Sequence, residues 1–322
     1  MEIEGTMRIL FCGSTFPDAP EFLRQKLPPD AGDEIVVWSR GDIRPMLDGV
    51  DVIIPKMQRI DRPLMQSGDL RLIQQWGAGL ERIDLDAARA RNIWVSNVPA
   101  LGSNAESVAE HAILLVLCLL RNLPLAQSNV RSGILGAPLG NMQAGRSVCL
   151  YGLGAIALAL ARRLANFGVR LIGISRNPTS PKITEFGLQR CFPVSERDKC
   201  LAESDILVLC VRYSEEMRDM MGAHELGCLP RGAYLVNVAR GGLINYMALR
   251  AALLSGQIGG AALDVFWEEP IAVDDPILTL PNVIATPHVA AVTRSSFSEI
   301  ADAVAVNIER LRNGEPPSNR VA

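Results

Sequence analysis

Short apolar runs recur along the whole chain and are separated by polar, helical or turn-rich segments. Runs of this length, rich in Val, Ile and Leu, are typical of buried β-strands. Because strands and helices alternate, the pattern predicts an α/β fold with parallel, doubly wound sheets. The predicted strands cover residues 8–12, 34–38, 51–55, 71–75, 93–96, 147–151, 169–174, 205–211, 233–238, 261–265 and 282–286, and short helices are predicted at 19–27, 84–90 and 246–255.

Two longer helices are predicted at residues 104–120 and 295–312. The first would begin with a capping box of Ser103 and Glu106, and its second half is apolar around most of its circumference, so we expect it to be buried. The second is amphipathic and must dock against a core that the sequence does not identify. Residues 123–145, which contain several Gly and Pro, are predicted to form the connection to the next strand.

A glycine turn joins the strand at 147–151 to an Ala- and Leu-rich helix. The string is GxGxxA, in which Gly152 permits a tight turn and Gly154 lets phosphates approach the backbone. The backbone N–H groups of Ala155 and Ile156, at the start of the helix, would then face a pyrophosphate. Such a string alone is also compatible with ordinary packing, but the strand-helix-strand unit of about 30 residues favours a dinucleotide site.

The end of the second strand of this unit indicates which dinucleotide binds. An acidic residue there would bind the ribose 2′-hydroxyl of NAD(H), but the chain has Ser175 and Arg176 instead. Arg176 can pair with a 2′-phosphate and Ser175 can donate a hydrogen bond to it. The sequence therefore predicts a preference for NADP(H), with NAD(H) possible; the alternative is that Arg176 is a solvated loop residue.

Composition and charge exclude several other classes of protein. The chain has 322 residues, is 48% hydrophobic and carries a formal net charge of −3, so neither nucleic acid nor an anionic membrane is expected as a partner. Glu2 and Glu4 replace the basic start of a signal peptide, and the apolar run at 112–120 is shorter than the roughly 20 residues that cross a bilayer. We expect a cytoplasmic protein.

Cysteine and histidine spacing gives no sign of a metal site. The seven cysteines form no CxxC pair and are expected to be reduced, and none of the three histidines stands at zinc-finger spacing from a cysteine. His111 and His224 are interpreted as structural residues of helices. The sequence thus predicts no metal.

Five strings along the chain carry a resemblance to a known family. They are GAG at 77–79, NAESVAEH at 104–111, VNVARGG at 236–242, ALDVFWEEP at 262–270 and TPHVA at 286–290. Together they closely resemble the D-isomer-specific 2-hydroxyacid dehydrogenases, and the resemblance covers essentially the whole chain. By matching position, it implies that Arg240, Glu269 and His288 are catalytic.

The implied reaction explains why these three residue types are needed. Reduction of a 2-keto acid requires a cation for the carboxylate and carbonyl, a hydride, and a proton for the oxygen. Arg240 can clamp the substrate through its fork of donors, and His288 can exchange the proton as general acid or base. Glu269 would orient the imidazole and favour its protonated form. Taken singly, each residue has a structural alternative: Arg240 as an ion-pair partner, Glu269 as a surface acid and His288 as a structural turn residue.

The resemblance also implies the remaining site residues and the architecture. The substrate would be held by the backbone amides of Ala78 and Gly79 with Arg240 and His288, and Val238 and Asp264 would belong to the cofactor site. A flavodoxin-like substrate domain would comprise residues 1–101 with 290–322, and a Rossmann nucleotide-binding domain residues 102–289. The helix from Asn104 is similar to the one that builds the family's homodimer.

The expected substrate is a small 2-keto or 2-hydroxy acid, with glyoxylate or hydroxypyruvate favoured. Residues 55–59 lack the Arg-Ser-x-Thr pattern of D-3-phosphoglycerate dehydrogenases, although Lys56, Arg59 and Arg62 keep a phosphorylated substrate open. A non-catalytic, dinucleotide-sensing binding module with the same fold also remains open, whereas a methyltransferase fits the strings poorly. Departures from the family pattern occur at Glu81, Arg212 and Ala291.

Overall fold

The computed structural model describes residues 5–322. Glu2 and Glu4, on which the argument against a signal peptide rests, lie outside the described residues, as does the start of the predicted substrate domain. The chain divides into two compact units: unit 1 extends to Asn104 and includes Val292–Ala322, and unit 2 is Ala105–Ala291.

Twelve strands and ten α-helices make up the regular structure of the described residues. The strands are β1 (Arg8–Cys12), β2 (Glu34–Trp38), β3 (Val52–Ile54), β4 (Leu72–Gln74), β5 (Trp94–Ser96), β6 (Ser147–Tyr151), β7 (Arg170–Ser175), β8 (Arg190–Pro193), β9 (Ile206–Leu209), β10 (Ala233–Asn237), β11 (Ile258–Leu263) and β12 (Val283–Ala285). The helices are α1 (Ala19–Arg24), α2 (Arg62–Met65), α3 (Leu85–Ala90), α4 (Gly102–Arg121), α5 (Leu123–Arg131), α6 (Ala155–Leu164), α7 (Arg197–Ala202), α8 (Ala223–Cys228), α9 (Tyr246–Leu254) and α10 (Arg294–Arg312).

Unit 1 contains a five-stranded sheet in the order β2-β1-β3-β4-β5, and all of its pairings are parallel. This is the flavodoxin-like order. Apolar clusters cover the two faces of the sheet. Helix α10 docks on the cluster formed by β1 and α1, because Phe297, Ile300 and Val304 are buried there with Ile9 and Phe11.

Unit 2 contains a seven-stranded parallel sheet in the order β12-β11-β10-β9-β6-β7-β8. The order is that of a Rossmann sheet with one extra strand, and the direction of winding changes between β6 and β9. Ligands of such sheets bind beyond the carboxyl ends of the strands at this change. The predicted fold class, two doubly wound parallel sheets, is confirmed.

Eleven of the twelve strands fall within or close to predicted runs, and β8 was missed. Its sequence contains Pro193, and it pairs with β7 at the edge of the sheet. The neighbouring strand therefore contributes more than the composition of β8 to its extended conformation. Helix α5 was also not predicted within the 123–145 connection. Pro124 lies in its first turn, where proline is tolerated.

The predicted capping box is wrong. Helix α4 begins at Gly102, so Ser103 lies in its first turn, and the Ser103 N–H and hydroxyl donate to the Glu299 carboxylate over 2.8 and 2.5 Å. Glu106 instead pairs with Arg163. Glu299 of α10 therefore accepts the hydrogen bonds at the start of α4, where the local pattern predicted Glu106 as the partner of Ser103.

Within residues 5–322, α4 alone is long and apolar enough to cross a membrane, with a mean hydropathy of 1.4 over its most apolar window. Half of that window is buried inside the protein, as in a core helix. Ala112, Leu115, Val116 and Leu119 pack with the residues of β6 and α6.

Candidate active site

The carboxyl ends of β10, β11 and β12 lie side by side in parallel register. Backbone hydrogen bonds continue beyond the strands: Asp264 N–H donates to Asn237 O over 3.0 Å, and His288 N–H donates to Asp264 O over 2.8 Å. The loops that leave this edge are therefore fixed to one another where they start. They carry the three residues predicted to be catalytic, Arg240, Glu269 and His288.

His288 and Glu269 form a hydrogen-bonded pair. Nδ1 of His288 lies 2.7 Å from Oε2 of Glu269, and Oε1 of Glu269 accepts from the Phe266 N–H over 2.9 Å. Burial disfavours the charged carboxylate, but the hydrogen bond and charge of His288, the Phe266 N–H and the charge of Arg240 outweigh it, so the pKa of Glu269 is lowered. Glu269 is therefore an anion at neutral pH that holds one imidazole nitrogen.

Arg240 follows β10 on a tightly held loop. Asn237 accepts from the Ala239 N–H over 3.0 Å and donates its Nδ2 to Arg240 O over 2.8 Å. The guanidinium donates to Ala239 O over 2.7 Å and contributes to the lowered pKa of Glu269. The electrostatic field of Arg240 thus reaches the His288–Glu269 pair.

Gly241 allows the Arg240 loop and the Glu269 loop to touch. A Cβ at this position would lie 2.0 Å from the carbonyl carbon of Phe266, closer than atoms can approach. Any side chain here would separate the two loops. Gly241 is not among the site residues predicted from the sequence, where its signal is the Gly-Gly pair after Arg240.

Asp264 is buried, and its carboxylate accepts hydrogen bonds from other residues of unit 2. Oδ1 accepts from Thr286 Oγ1 over 2.6 Å and from the Val289 N–H over 2.9 Å, and Oδ2 accepts from the Ala290 N–H over 2.9 Å. Burial again opposes ionisation, but these bonds and His111 outweigh it and lower the pKa of Asp264. The Asp264 carboxylate anchors the backbone that follows His288 and the side chain of Thr286 before it. The predicted contact of Asp264 with the cofactor stays a prediction.

His111 reaches the same cluster from α4. Its Nε2 lies 3.0 Å from Thr286 Oγ1 and 3.5 Å from Asp264 Oδ1. The sequence analysis interpreted His111 as a structural helix residue. No local pattern could have linked it to residues more than 150 positions away, because the link depends on the packing of α4 against the sheet.

The glycine turn has the geometry of a phosphate site. Gly152 has φ +92°, and a Cβ there would lie 2.6 Å from Val211 Cα, so the turn requires glycine. A Cβ on Gly154 would meet nothing within 4 Å, so this residue borders open space. In the described part of the chain, the N–H groups of Ala155 and Ile156 donate no hydrogen bond. These groups fit the pyrophosphate of a dinucleotide.

Ser175 and Arg176 lie next to this turn, because β7 pairs with β6 and the Gly152 N–H donates to Ile174 O over 3.0 Å. The Ser175 hydroxyl accepts from the Asn177 N–H over 3.1 Å. Arg176 is exposed, and among residues 5–322 it forms no ion pair. Val238, also predicted for the cofactor site, is buried after β10 in the apolar cluster of unit 2.

In unit 1, the 77–79 loop follows β4 and is held by its three carbonyl groups. Gly77 O accepts from the Val98 N–H over 2.9 Å, Ala78 O from Asn97 Nδ2 over 2.8 Å, and Gly79 O from Gln75 Nε2 over 2.8 Å. The N–H groups of Ala78 and Gly79 donate no hydrogen bond within residues 5–322. Fixed carbonyls and unused amides make this loop fit a carboxylate.

Lys56, considered as a phosphate ligand, is buried beside that loop. Its Nζ donates to Gly13 O over 2.9 Å and to Thr15 O over 2.5 Å, and burial lowers the pKa of Lys56 to about 8. Two of its donors are therefore used by the protein itself. Arg59 and Arg62 are exposed.

Comparison with known proteins identifies the family to which the chain belongs. Residues 113–290 match the family model described as D-isomer specific 2-hydroxyacid dehydrogenase, NAD binding domain. The chain is 36% identical to a glyoxylate reductase of Korarchaeum cryptofilum over 258 residues, which are 78% of this chain and 76% of the relative. It is 31% identical to a D-3-phosphoglycerate dehydrogenase of Archaeoglobus fulgidus, over 84% of this chain but 51% of the relative.

A solved structure gives the same answer over the full length. The NADPH-dependent glyoxylate/hydroxypyruvate reductase of Sinorhizobium meliloti, in complex with NADP and malonate, is 32% identical and has a TM-score of 0.82, over 99% of this chain and 97% of that one. The resemblance inferred from the five strings is confirmed. The chain belongs to the D-isomer-specific 2-hydroxyacid dehydrogenases, nicotinamide-dependent oxidoreductases that act on the CH–OH group of small 2-hydroxy acids.

Proposed function

We propose that this protein reduces a small 2-keto acid, glyoxylate or hydroxypyruvate, to the 2-hydroxy acid, with NADP(H) as the preferred cofactor. The observation that carries the proposal is the 2.7 Å hydrogen bond between His288 and the buried anion Glu269, in the field of Arg240. This arrangement supplies a proton donor and a cation together. The names of the glyoxylate reductase and of the glyoxylate/hydroxypyruvate reductase structure support the choice of substrates.

In the proposed mechanism, Glu269 holds the His288 imidazole through Nδ1 and orients the opposite nitrogen, Nε2. The proton therefore passes from Nε2 of His288 to the carbonyl oxygen of the substrate, or back to Nε2 in the oxidation. Arg240 binds the substrate carboxylate and polarises the carbonyl through its fork of donors. The Ala78 and Gly79 amides bind the same carboxylate.

The dinucleotide is assigned to unit 2. The Ala155 and Ile156 amides would hold its pyrophosphate across the Gly152 and Gly154 turn, with Val238 and Asp264 further along the same sheet edge. When bound, the nicotinamide supplies or accepts the hydride. The chain's own residues supply the remaining requirements: binding, orientation and the proton.

Two variants test the assignment of residues. His288→Ala should lower kcat by about 100-fold or more while the dissociation constant of NADPH is unchanged, because only proton transfer is lost. Arg240→Ala should raise KM for the keto acid and lower kcat. Unchanged turnover in either variant would remove that residue from the mechanism, and dinucleotide binding without turnover of any 2-keto acid by the wild type would favour a sensing module.

The preference for NADP(H) rests on Ser175 and on Arg176, which is exposed at the end of β7 where the other cofactor would need an acid. Steady-state kinetics with NADPH and NADH test it. We expect a higher kcat/KM with NADPH, and a clear preference for NADH would overturn the assignment.

D-3-phosphoglycerate is the weaker candidate substrate. The D-3-phosphoglycerate dehydrogenase of Archaeoglobus fulgidus is matched over only 51% of its own length. In addition, the Lys56 ammonium group donates two of its hydrogen bonds to backbone carbonyls. A substrate panel that includes hydroxypyruvate and 3-phosphohydroxypyruvate compares the two possibilities directly.

We further propose a homodimer. An apolar surface that is unusual for a monomer follows α4 in unit 2, where Leu135 and Leu139 are 92% and 98% exposed and Met142 is 75% exposed. The homodimer implied by the resemblance would cover it. Light scattering should give twice the chain mass for the wild type and a monomer for a Leu135→Asp/Leu139→Asp variant.

We also propose a cytoplasmic location. All seven cysteines are free, as in a reducing compartment. Fractionation of cells that express the protein should recover it with cytoplasmic markers; recovery with membranes would contradict the proposal.

A further inference from the structure

A second cluster of reactive side chains lies in unit 2, formed by two short helices. Asp198 belongs to α7, and His224 and Cys228 belong to α8. His224 Nε2 lies 2.9 Å from Asp198 Oδ2 and 3.8 Å from Cys228 Sγ, and the three ligand atoms lie within 4.8 Å of one another. None of these residues has a role in the proposed reaction.

Two of the three residues are placed together by helix geometry. His224 and Cys228 are four positions apart, so they share one face of α8. Asp198 comes from a different helix, 26 positions earlier. The prediction of no metal rests on the absence of zinc-finger spacing between histidine and cysteine. Spacing along the chain does not detect a cluster whose third residue comes from another helix.

Charged residues around the cluster hold the two helices in place. Arg197, next to Asp198, pairs with Glu225 of α8, and the other oxygen of Glu225 accepts from the Gly222 N–H over 3.0 Å at the start of that helix. Arg197 is the cation that faces the cluster, with Nε 3.6 Å from Asp198 Oδ1. Its charge is offset by Glu225, and Asp198 Oδ2 is the oxygen directed at His224.

We propose that Asp198, His224 and Cys228 bind a divalent transition-metal ion of the Zn²⁺ type, with water as the fourth ligand. Sulfur, imidazole and carboxylate are the ligands that Zn²⁺ takes in proteins, at about 2.3, 2.0 and 2.1 Å. A tetrahedral ion then places nitrogen about 3.6 Å from sulfur and about 3.3 Å from oxygen. The separations of 3.8 and 2.9 Å are already close to these values.

The Cys228 sulfur and the Asp198 carboxylate lie within 4.8 Å of each other, and a tetrahedral ion would set this separation at about 3.6 Å. The side chains of His224 and Asp198 are 67% and 50% exposed, so both can adjust without disturbing a core. Binding would release the Cys228 proton to solvent and form a thiolate bond to the ion. The ion would join α7 to α8, and because it binds only the folded chain, it would raise the thermal stability of the protein.

Zinc binding by the full-length protein tests the proposal. The reduced protein is freed of metal with a chelator and titrated with Zn²⁺ against a chromophoric competitor, in parallel with Cys228→Ser, His224→Gln and the control Cys118→Ser. Cys118 is a half-buried thiol of α4 outside the cluster. Replacement of Zn²⁺ by Co²⁺ then gives a spectroscopic signature, because a bound thiolate produces a charge-transfer band in the near ultraviolet.

We expect one Zn²⁺ per chain, affinity at least about tenfold weaker in both cluster variants, and unchanged affinity in Cys118→Ser. We also expect the Co²⁺ charge-transfer band to disappear in Cys228→Ser, and keto-acid reduction to be the same in all three variants and the wild type. Equal Zn²⁺ affinity of the wild type and Cys228→Ser, or no charge-transfer band in the wild type, would overturn the proposal. Because this readout is independent of turnover, its failure would leave the proposed reaction untouched.

Discussion

Thr286 Oγ1 donates its proton to Asp264 Oδ1 over 2.6 Å. A hydroxyl has a single proton, so at the 3.0 Å contact with His111 Nε2 the threonine can only accept. The imidazole of His111 must therefore carry its proton on Nε2. The side chains of His111, Thr286 and Asp264 thus form a hydrogen-bond network in which His111 donates to Thr286 and Thr286 donates to Asp264. The Asp264 carboxylate in turn binds the backbone N–H groups that follow His288.

Thr286→Val should break this hydrogen-bond network without changing the shape of the side chain at position 286. It removes a donor from a buried carboxylate and leaves His111 facing a methyl group, at a cost of about 1–3 kcal/mol. We expect thermal unfolding at a lower temperature and a reduced kcat, because the backbone that carries His288 is less firmly held. Thr279→Val, which removes an exposed hydroxyl from the same unit, is the matched control. Equal kcat and stability of the two variants would show that the hydrogen-bond network has no role in positioning His288.

Glu269→Gln should lower kcat in both directions of the reaction. The variant keeps a hydrogen-bonding group beside His288 Nδ1 but removes the buried carboxylate charge. Because the carboxylate orients the imidazole for proton transfer at Nε2, we expect kcat to fall about tenfold or more, while the dissociation constant of NADPH is unchanged. Steady-state rates of keto-acid reduction and hydroxy-acid oxidation check this, and an unchanged kcat in both directions would deny Glu269 its proposed role.

Acid stability should depend on Asp264. The pKa of Asp264 is lowered in the folded protein, so its stabilising contribution is complete above the unfolded value near 3.9 and is lost as the pH falls through the folded value. Asp264→Asn should therefore be less stable than the wild type at pH 7, by about 1–3 kcal/mol, and the difference should shrink below about pH 4. Urea unfolding across this range measures it. Asp86→Asn, at an 88% exposed acid, should follow the wild type throughout.

The sheets could be predicted because the information lies in the apolar runs themselves. Strands β1, β2 and β6 have the predicted bounds, since each is built on an apolar run that ends at polar or glycine residues. Strands β1 and β6 are almost entirely buried, whereas β2, at the edge of its sheet, is partly exposed. Strand β8 was missed because an edge strand is defined mainly by its neighbour.

The site could be predicted only where a string carries the chemistry. His288 and Glu269 could be proposed as site residues because each lies in a recognisable segment, and in the structure Nδ1 of His288 lies 2.7 Å from Oε2 of Glu269. Gln75, Asn97 and His111 were missed because each acts by supporting another group, and support depends on tertiary contacts between residues that no local period connects. Their side chains are amides and an imidazole in or beside strands and helices, where sequence alone favours a structural role.

Gln75→Leu should weaken binding of the keto acid and leave cofactor binding intact. Gln75 Nε2 donates to Gly79 O and to Lys56 O, and its oxygen accepts from the Trp76 N–H. Leucine would therefore leave three buried or half-buried backbone groups without this partner. The 77–79 loop would lose the support of one carbonyl, and KM for the keto acid should rise about tenfold. Gln58→Leu, which removes a more exposed amide of unit 1, is the control. An unchanged KM in Gln75→Leu, with the folded structure intact, would show that the loop amides do not bind the substrate.

Arg176→Ala should distinguish between the two nicotinamide cofactors. The exposed guanidinium has no ion-pair partner among the described residues, so it is available for a 2′-phosphate, and loss of such a charge-assisted bond costs about 1.5–3 kcal/mol. We expect KM for NADPH to rise about 10- to 100-fold while KM for NADH is unchanged, because NADH has no phosphate at that position. Arg162→Ala removes an exposed arginine from the last turn of α6 and controls for the general loss of positive charge. Equal loss for both cofactors would indicate a structural role, and no loss for either would mean that Arg176 is a solvated loop residue that leaves the choice of cofactor to other groups.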